Sequence, residues 1–123
     1  MKVNGDYLMA DSAFNVPDAL ERLVNNKNLY KRLLDKFAAG YVDFEEKVLE
    51  AFDEDNFEDA MHLAHTMKGL AGNLGADVLQ EASLVLEHIA RGGSKTPELD
   101  GALEKFKIEL RRALKEAAEG VDM

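Results

Sequence analysis

The strongest pattern in this chain runs through residues 64–76, which read Ala64-His65-Thr66-Met67-Lys68-Gly69-Leu70-Ala71-Gly72-Asn73-Leu74-Gly75-Ala76. Small and apolar residues recur here at the three- and four-residue spacing of one buried helical face. That face comprises Ala60, Leu63, Ala64, Met67, Ala71 and Leu74. A helix turns by about 100° per residue, so His65 falls on the opposite side, together with His62, Gly69 and Gly72. Lys68 falls on the shoulder between the two sides. We therefore expect His65 to face solvent.

Gly69 and Gly72 are unusual at these positions, because a glycine inside a helix costs about 1 kcal/mol relative to alanine. One explanation is access: another protein can approach the imidazole without meeting a side chain. The other is fraying of the helix before Gly75, which is placed to end it. Spacing alone leaves both explanations open.

The segment Ala-His-Thr-Met-Lys-Gly-Leu-Ala-Gly-Asn-Leu-Gly-Ala closely resembles the signature of histidine-containing phosphotransfer (HPt) domains of bacterial multistep phosphorelays. The resemblance extends over the preceding helices from about residue 16. It implies that His65 is the phosphorylated histidine, that Lys68 lies beside the phosphoryl group, and that Gly69 leaves room for the partner. Gly75 would turn the chain into the next helix. Met67 stands where leucine is more usual, which is a volume-conserving change.

The same resemblance implies a function and partners. His65 would accept a phosphoryl group from a receiver-domain aspartate and pass it to the aspartate of another response regulator. The expected partners are response regulator receiver domains and hybrid sensor histidine kinases. Whether the domain stands alone or belongs to a larger kinase is left open, and a bundle of this kind is most simply a monomer.

Composition narrows the class of protein. The chain has 123 residues, of which 46% are hydrophobic and 32% charged, and this suits one globular domain. The net charge of −9 disfavours nucleic acid as a partner. Neither an apolar run of membrane-spanning length nor a secretory signal is evident, so we expect a cytoplasmic location and no membrane insertion. Cysteine is absent, which excludes disulfides.

Hydrophobic periodicity predicts an all-α fold and no strands. We assign residues 1–15 to an N-terminal tail or linker, from which Tyr7, Leu8, Met9 and Phe14 could contact the bundle, and residues 16–119 to the domain. A short helix begins near Pro17. A second helix of about two dozen residues carries an apolar stripe from Tyr30 to Phe52, weakened at residues 38–40.

The remaining helices follow from the same pattern. Asn26 or Asn28 is placed to cap the second helix, and Asp55 or Asn56 to cap the helix of His65. A fourth helix should bury Leu79, Ala82, Val85, Leu86 and Ile89 and end at Gly92-Gly93. The last should begin at Thr96-Pro97 and end at Gly120. Because the connections are short, we predict an antiparallel up-down four-helix bundle with a short extra N-terminal helix.

A phosphoryl acceptor on such a bundle needs few other groups. A neutral imidazole is a nucleophile near pH 7, and Lys68 can offset phosphoryl charge. The sequence contains no Gly-rich phosphate loop followed by Lys-Ser or Lys-Thr, so we expect neither an ATP site nor independent kinase activity, and no cofactor. If the helix of His65 and the next helix form a hairpin about Gly75, Glu87 and His88 are the polar residues that come opposite His65.

Two other interpretations of the same residues are possible. Asp59 and His62 have the carboxylate-x-x-His spacing of di-metal bundles. The helical wheel points His62 outward and no second such motif exists, so we expect a surface or docking residue and no metal. The alternative function is a non-catalytic interaction module that docks a partner through the exposed Gly-rich strip of Gly69 and Gly72. Acid-labile phosphate that depends on His65 would distinguish the two functions.

Overall fold

A computed structural model describes residues 12–123 of the chain, and this part is all-helical, as predicted. Six helices follow in order, and the described residues contain no strand. They are α1 (Val16–Arg22), α2 (Lys27–Gly40), α3 (Phe44–Asp53), α4 (Phe57–Leu74), α5 (Asp77–Arg91) and α6 (Leu99–Glu119). None of them is long and apolar enough to cross a membrane.

The four long segments pack in the order expected of a bundle. Helix α4 packs on α3 and α5, α5 packs on α6, and α6 closes the ring against α2 and α3. Helices α2 and α3 together take the place of one bundle helix, while α1 contacts α2 and α4. The largest fully buried side chains come from α2 to α6 and include Tyr30, Phe37, Phe52, Met67 and Phe106. The hairpin of α4 and α5 is the part that positions the site.

The prediction of one long helix from Tyr30 to Phe52 is wrong, because the helix is interrupted at residues 41–43. The predicted weak point at residues 38–40 lies just before this break. Aromatic packing nevertheless continues across it: the ring centroid of Tyr41 lies 5.8 Å from that of Phe37 and 5.6 Å from that of Phe44. The apolar stripe therefore predicts the packing correctly, although the helical backbone hydrogen bonds are interrupted at residues 41–43.

Most predicted helix ends are confirmed. Asn26 and Asn56 are the N-caps of α2 and α4, and their side chains accept hydrogen bonds from the backbone N–H groups three residues later. Gly92 ends α5 and Gly120 ends α6. The predicted start of the last helix at Thr96-Pro97 is wrong, because residues 97–98 form a turn and α6 begins at Leu99.

The buried face of α5 differs from the predicted one at Val85, which is 43% exposed. Helix α5 also buries two polar residues, Ser83 and Glu87. The Ser83 hydroxyl donates a hydrogen bond to the carbonyl of Leu79. Glu87 has charged or hydrogen-bonding partners, two of them on α4, which are described below.

Residues just before α1 contact the bundle. Phe14 is buried, and the backbone N–H of Ala13 donates to the Glu116 carboxylate at 2.9 Å. The predicted contact of Phe14 with the bundle is thus confirmed. Tyr7, Leu8 and Met9 lie outside the described residues.

Candidate functional site

Helix α4 presents His65 to solvent, as the sequence predicts. The imidazole is 66% exposed, whereas Ala60, Ala64, Met67 and Ala71 on the opposite face are buried. Both ends of the helix are fixed, by the Asn56 cap at the start and by Gly75 at the end. His65 therefore stands near the middle of a well-packed helix, where its backbone position is set by the core.

Three cationic or hydrogen-bonding side chains converge on the carboxylate of Glu87 in α5. His65 Nδ1 lies 2.8 Å from Oε2, and Arg91 Nη2 lies 3.0 Å from the same oxygen. Lys68 Nζ lies 2.7 Å from Oε1. We call these four residues, His65, Lys68, Glu87 and Arg91, the Glu87 cluster.

Glu87 is the buried centre of this cluster. Its side chain is only 3% exposed, and a carboxylate is rarely buried to that extent unless it is paired. The ion pair with Lys68 is the main cause that lowers the pKa of Glu87 to about 2, with a further contribution from His65, and together these outweigh the opposing effect of burial. Glu87 is therefore ionised at neutral pH.

The charge on Glu87 determines the tautomer of His65. An ionised carboxylate can only accept hydrogen bonds, so the Nδ1 atom of a neutral His65 must carry the proton and donate it to Oε2. The lone pair of that imidazole is then on Nε2. The structure thus holds the ring by one nitrogen and leaves the other as the nucleophilic atom.

Gly69 lies on the exposed side of α4, one turn beyond His65. A Cβ atom built at this position has no neighbour within 4 Å. The prediction of bare helical surface beside the imidazole is confirmed at this residue.

The same prediction is wrong for Gly72, which is buried. A Cβ atom at Gly72 would lie 2.5 Å from Nε2 of Gln80, because the Gln80 side chain of α5 covers the glycine. The carbonyl oxygen of Gly72 also accepts a hydrogen bond from Arg22 of α1 at 2.6 Å. The exposed strip therefore consists of Gly69 and its surroundings, without Gly72.

The end of α4 is closed by packing. Gly75 has a φ of +80°, and a Cβ atom there would lie 2.6 Å from the backbone oxygen of Asn15, so both conformation and space favour glycine. The buried hydroxyl of Tyr30 donates to the carbonyl of Leu74 at 2.8 Å. The predicted turn into the next helix at Gly75 is confirmed.

The remaining predicted residues stand apart from the cluster. His62 is exposed on α4, and in the part of the chain that the structure describes it makes no hydrogen bond or ion pair. Glu87 comes opposite His65 as the hairpin predicts, whereas the neighbouring His88 is exposed and does not contact the imidazole. Across residues 12–123, no group of three or more His, Asp or Glu side chains is arranged to hold a metal ion.

Arg91 was not predicted from the sequence. The available signal was its spacing, since Glu87 and Arg91 are four residues apart and can pair on one helical face. On a helix with several exposed charges, this spacing alone does not distinguish a pair in the site from an ordinary surface pair. The structure shows that Arg91 belongs to the site, because it contacts Oε2 of Glu87, the oxygen that also binds His65 Nδ1.

Comparison with known proteins identifies the family of the chain. The family model of the Hpt domain matches residues 32–120, so the chain belongs to the Hpt domain family. The fold is similar to that of histidine-containing phosphotransfer protein B (HptB) from Pseudomonas aeruginosa PAO1. That match has a TM-score of 0.75 and 20% sequence identity, and covers 89% of this chain and 94% of the HptB chain. No curated protein gives a significant sequence match.

Membership of this family makes the chain a phosphotransfer module of two-component signalling. The match to the family model spans α4 and α5 and therefore includes all four residues of the Glu87 cluster.

Proposed function

We propose that this protein is a phosphorelay intermediate in which His65 accepts a phosphoryl group from a receiver-domain aspartate and transfers it to another receiver. The observation that carries the proposal is the hydrogen bond between His65 Nδ1 and the buried, ionised Glu87. It leaves Nε2 as a nucleophile on an imidazole that is 66% exposed.

The step proceeds without loss of a proton from the ring. The Nε2 lone pair attacks phosphorus, the bond from phosphorus to the aspartyl oxygen breaks, and its electron pair returns to the aspartate carboxylate. Nδ1 keeps its proton throughout, so positive charge develops on the imidazole ring. Glu87 faces that charge at 2.8 Å and stabilises it, as a carboxylate does behind a catalytic histidine in hydrolases.

Lys68 supplies positive charge beside the phosphoryl group. Its side chain is 28% exposed and lies one turn after His65, with the ammonium directed at Glu87 Oε1 in the unphosphorylated protein. A phosphoryl group on Nε2 would add a second anion within reach of this ammonium, and charge-assisted contacts to phosphate are strong. Lys68 is thus a shared counter-ion of the carboxylate and the phosphoryl group.

Gly69 gives the partner access. A receiver has to bring its aspartate in line with Nε2, so its backbone and loops must approach α4 closely. The open space at Gly69 permits this approach beside His65, and exposed His62 lies on the same side of the helix. The phosphoryl donors and acceptors that we propose are receiver domains, including those of hybrid sensor histidine kinases.

The test is phosphoryl transfer from a phosphorylated receiver domain to the purified protein, followed on a phosphate-affinity gel. We expect an acid-labile shifted band with the wild type and with His88→Gln, and no band with His65→Gln. His88→Gln is the control, because it removes an exposed histidine of α5 that does not contact His65. Binding of receivers without any shifted band would overturn the proposal in favour of an interaction module.

A further inference from the structure

Arg91 shares a carboxylate oxygen with His65. Its Nη2 lies 3.0 Å from Glu87 Oε2, and His65 Nδ1 lies 2.8 Å from the same atom. Lys68 contacts the other oxygen, so it does not compete with the imidazole in this way. Arg91 is 57% exposed and comes from the turn of α5 that follows Glu87. His65 Nδ1 and Arg91 Nη2 therefore donate to the same acceptor atom, Oε2 of Glu87.

The net charge of the Glu87 cluster indicates how Arg91 affects the His65 ring. With a neutral imidazole, the single negative charge of Glu87 faces the two positive charges of Lys68 and Arg91. The cluster thus already carries one net positive charge before the ring gains any. None of the other exposed titratable groups on these two helices forms an ion pair with the cluster within residues 12–123; they are Glu58, Asp59 and His62 on α4 and Asp77, Glu81 and His88 on α5.

We propose that Arg91 is a positioning residue that limits how strongly Glu87 stabilises positive charge on the His65 ring. The inference rests on the phosphotransfer role of His65 proposed above. By occupying Oε2, Arg91 weakens the hydrogen bond from Nδ1 and opposes an extra proton on the imidazole. It thereby destabilises the cationic ring of phosphohistidine relative to the neutral ring and keeps the phosphoryl group readily transferable.

The effect on lifetime follows from the leaving group. A ring that carries both the phosphoryl group on Nε2 and a proton on Nδ1 is a cation, and it departs as neutral imidazole. In hydrolysis, a water oxygen bonds to phosphorus, the P–N bond breaks, its electron pair stays on Nε2, and the protons of the water leave with the phosphate. Because the ring loses its positive charge in this step, a Glu87 carboxylate freed from Arg91 stabilises the phosphorylated ring more than the departing imidazole and slows hydrolysis.

The expected change in the half-life of phosphohistidine is modest, because the Arg91 side chain is partly exposed. Partly exposed ion pairs alter equilibria by roughly two- to fivefold. We therefore expect Arg91→Gln to lengthen the half-life of phosphohistidine by about two- to fivefold, and Arg91→Lys to restore most of the wild-type value.

The experiment combines ring ¹⁵N NMR of the unphosphorylated protein near neutral pH with the half-life of the phosphorylated protein. Arg91→Gln should shift the His65 ring nitrogens toward the values of the charged imidazolium. The control is Arg111→Gln, which breaks an exposed arginine–glutamate pair between α6 and Glu45 of α3, away from the Glu87 cluster, and should change neither quantity. In a Glu87→Gln background, Arg91→Gln should have no further effect on the ring.

The outcomes separate the alternatives. A shorter half-life would mean that Arg91 contacts and stabilises the phosphoryl group itself, and would overturn the proposal. Unchanged half-life and ring signals would leave Arg91 a surface pair and would also overturn it. If the wild type takes no phosphoryl group, the phosphotransfer role fails, while the ring signals still report whether Arg91 acts on His65 through Glu87.

Discussion

Tyr30 and Glu87 are both buried ionisable side chains that contact residues of α4, but their pKa values are shifted in opposite directions. Burial raises the pKa of Tyr30 to about 12, and its neutral hydroxyl donates to the carbonyl of Leu74. Cationic neighbours instead lower the pKa of Glu87 to about 2, so it remains charged. Burial alone raises the pKa of Tyr30, whereas the charged neighbours of Glu87 outweigh the same effect of burial and lower its pKa.

Two regions of α4 differ in the same way, one held by neutral groups and the other by charged groups. At the end of the helix, Tyr30, Gly75 and Asn15 fix the hairpin with neutral groups and backbone contacts. One to three turns earlier, the Glu87 cluster uses charge to hold an exposed imidazole. The comparison predicts that changes at the first region lower stability, whereas changes at the second alter phosphotransfer.

The largest effect is expected at Gly69. Gly69→Leu should reduce phosphotransfer by at least about tenfold, because a side chain would occupy the approach to His65, while helix propensity makes the folded state up to about 1 kcal/mol more stable. Transfer kinetics and chemical denaturation measure the two quantities. Gly101→Leu is the control, since Gly101 is also an open helical glycine but lies on α6. Wild-type transfer rates in Gly69→Leu would remove the access argument.

At Gly75 we expect a substitution to lower stability rather than phosphotransfer. Gly75→Ala is expected to destabilise the protein by about 1–3 kcal/mol, because alanine disfavours a φ of +80° and its Cβ would meet the Asn15 oxygen. Gly93→Ala isolates the conformational part, since Gly93 has a φ of +75° but open space around it. Equal losses of unfolding free energy in the two variants would show that the contact with Asn15 contributes nothing.

Acid should act on the Glu87 cluster. The folded-state pKa of Glu87, about 2, lies below its ordinary value of 4.5, so the folded state binds fewer protons than the unfolded state between these values. The stability contributed by ionised Glu87 is complete above about pH 4.5 and is lost as the pH falls toward 2. Glu87→Gln should flatten this part of the stability profile. If the stability of Glu87→Gln fell between pH 4.5 and 2 as steeply as that of the wild type, this result would contradict the proposed ion pairing.

The smallest effect is expected at Tyr30. Tyr30→Phe removes one buried hydrogen bond to Leu74 and should cost about 1 kcal/mol of unfolding free energy without changing the phosphotransfer rate. Tyr41→Phe provides the comparison, because Tyr41 is only partly buried and its hydroxyl has no hydrogen bond within the described residues. A slower transfer in Tyr30→Phe would show that the two regions are coupled.

Sequence periodicity predicts the features that depend on one helix. It gives the exposure of His65, the open position at Gly69 and the turn at Gly75, because helical angle and glycine conformation are local properties. The approximate position of Glu87 follows from the short hairpin. The all-helical fold follows from the repeated apolar stripes.

Features that depend on two elements were harder to predict. Gly72 is buried by the Gln80 side chain of α5, which no helical wheel of α4 contains. The break at residues 41–43 leaves the apolar stripe intact, so periodicity does not reveal it. Val85 is exposed while the polar Glu87 is buried, and Arg91 joins the cluster through its contact with Glu87; both depend on how α5 packs on α4.

The most direct test of the central claim is to determine which ring nitrogen of His65 carries the phosphoryl group. Phosphorylated protein with ¹⁵N-labelled histidine can be examined by NMR through the coupling between phosphorus and nitrogen. Because Glu87 holds Nδ1, we predict phosphorus on Nε2 and a proton retained on Nδ1. Phosphorus on Nδ1, or on a histidine other than His65, would contradict the account.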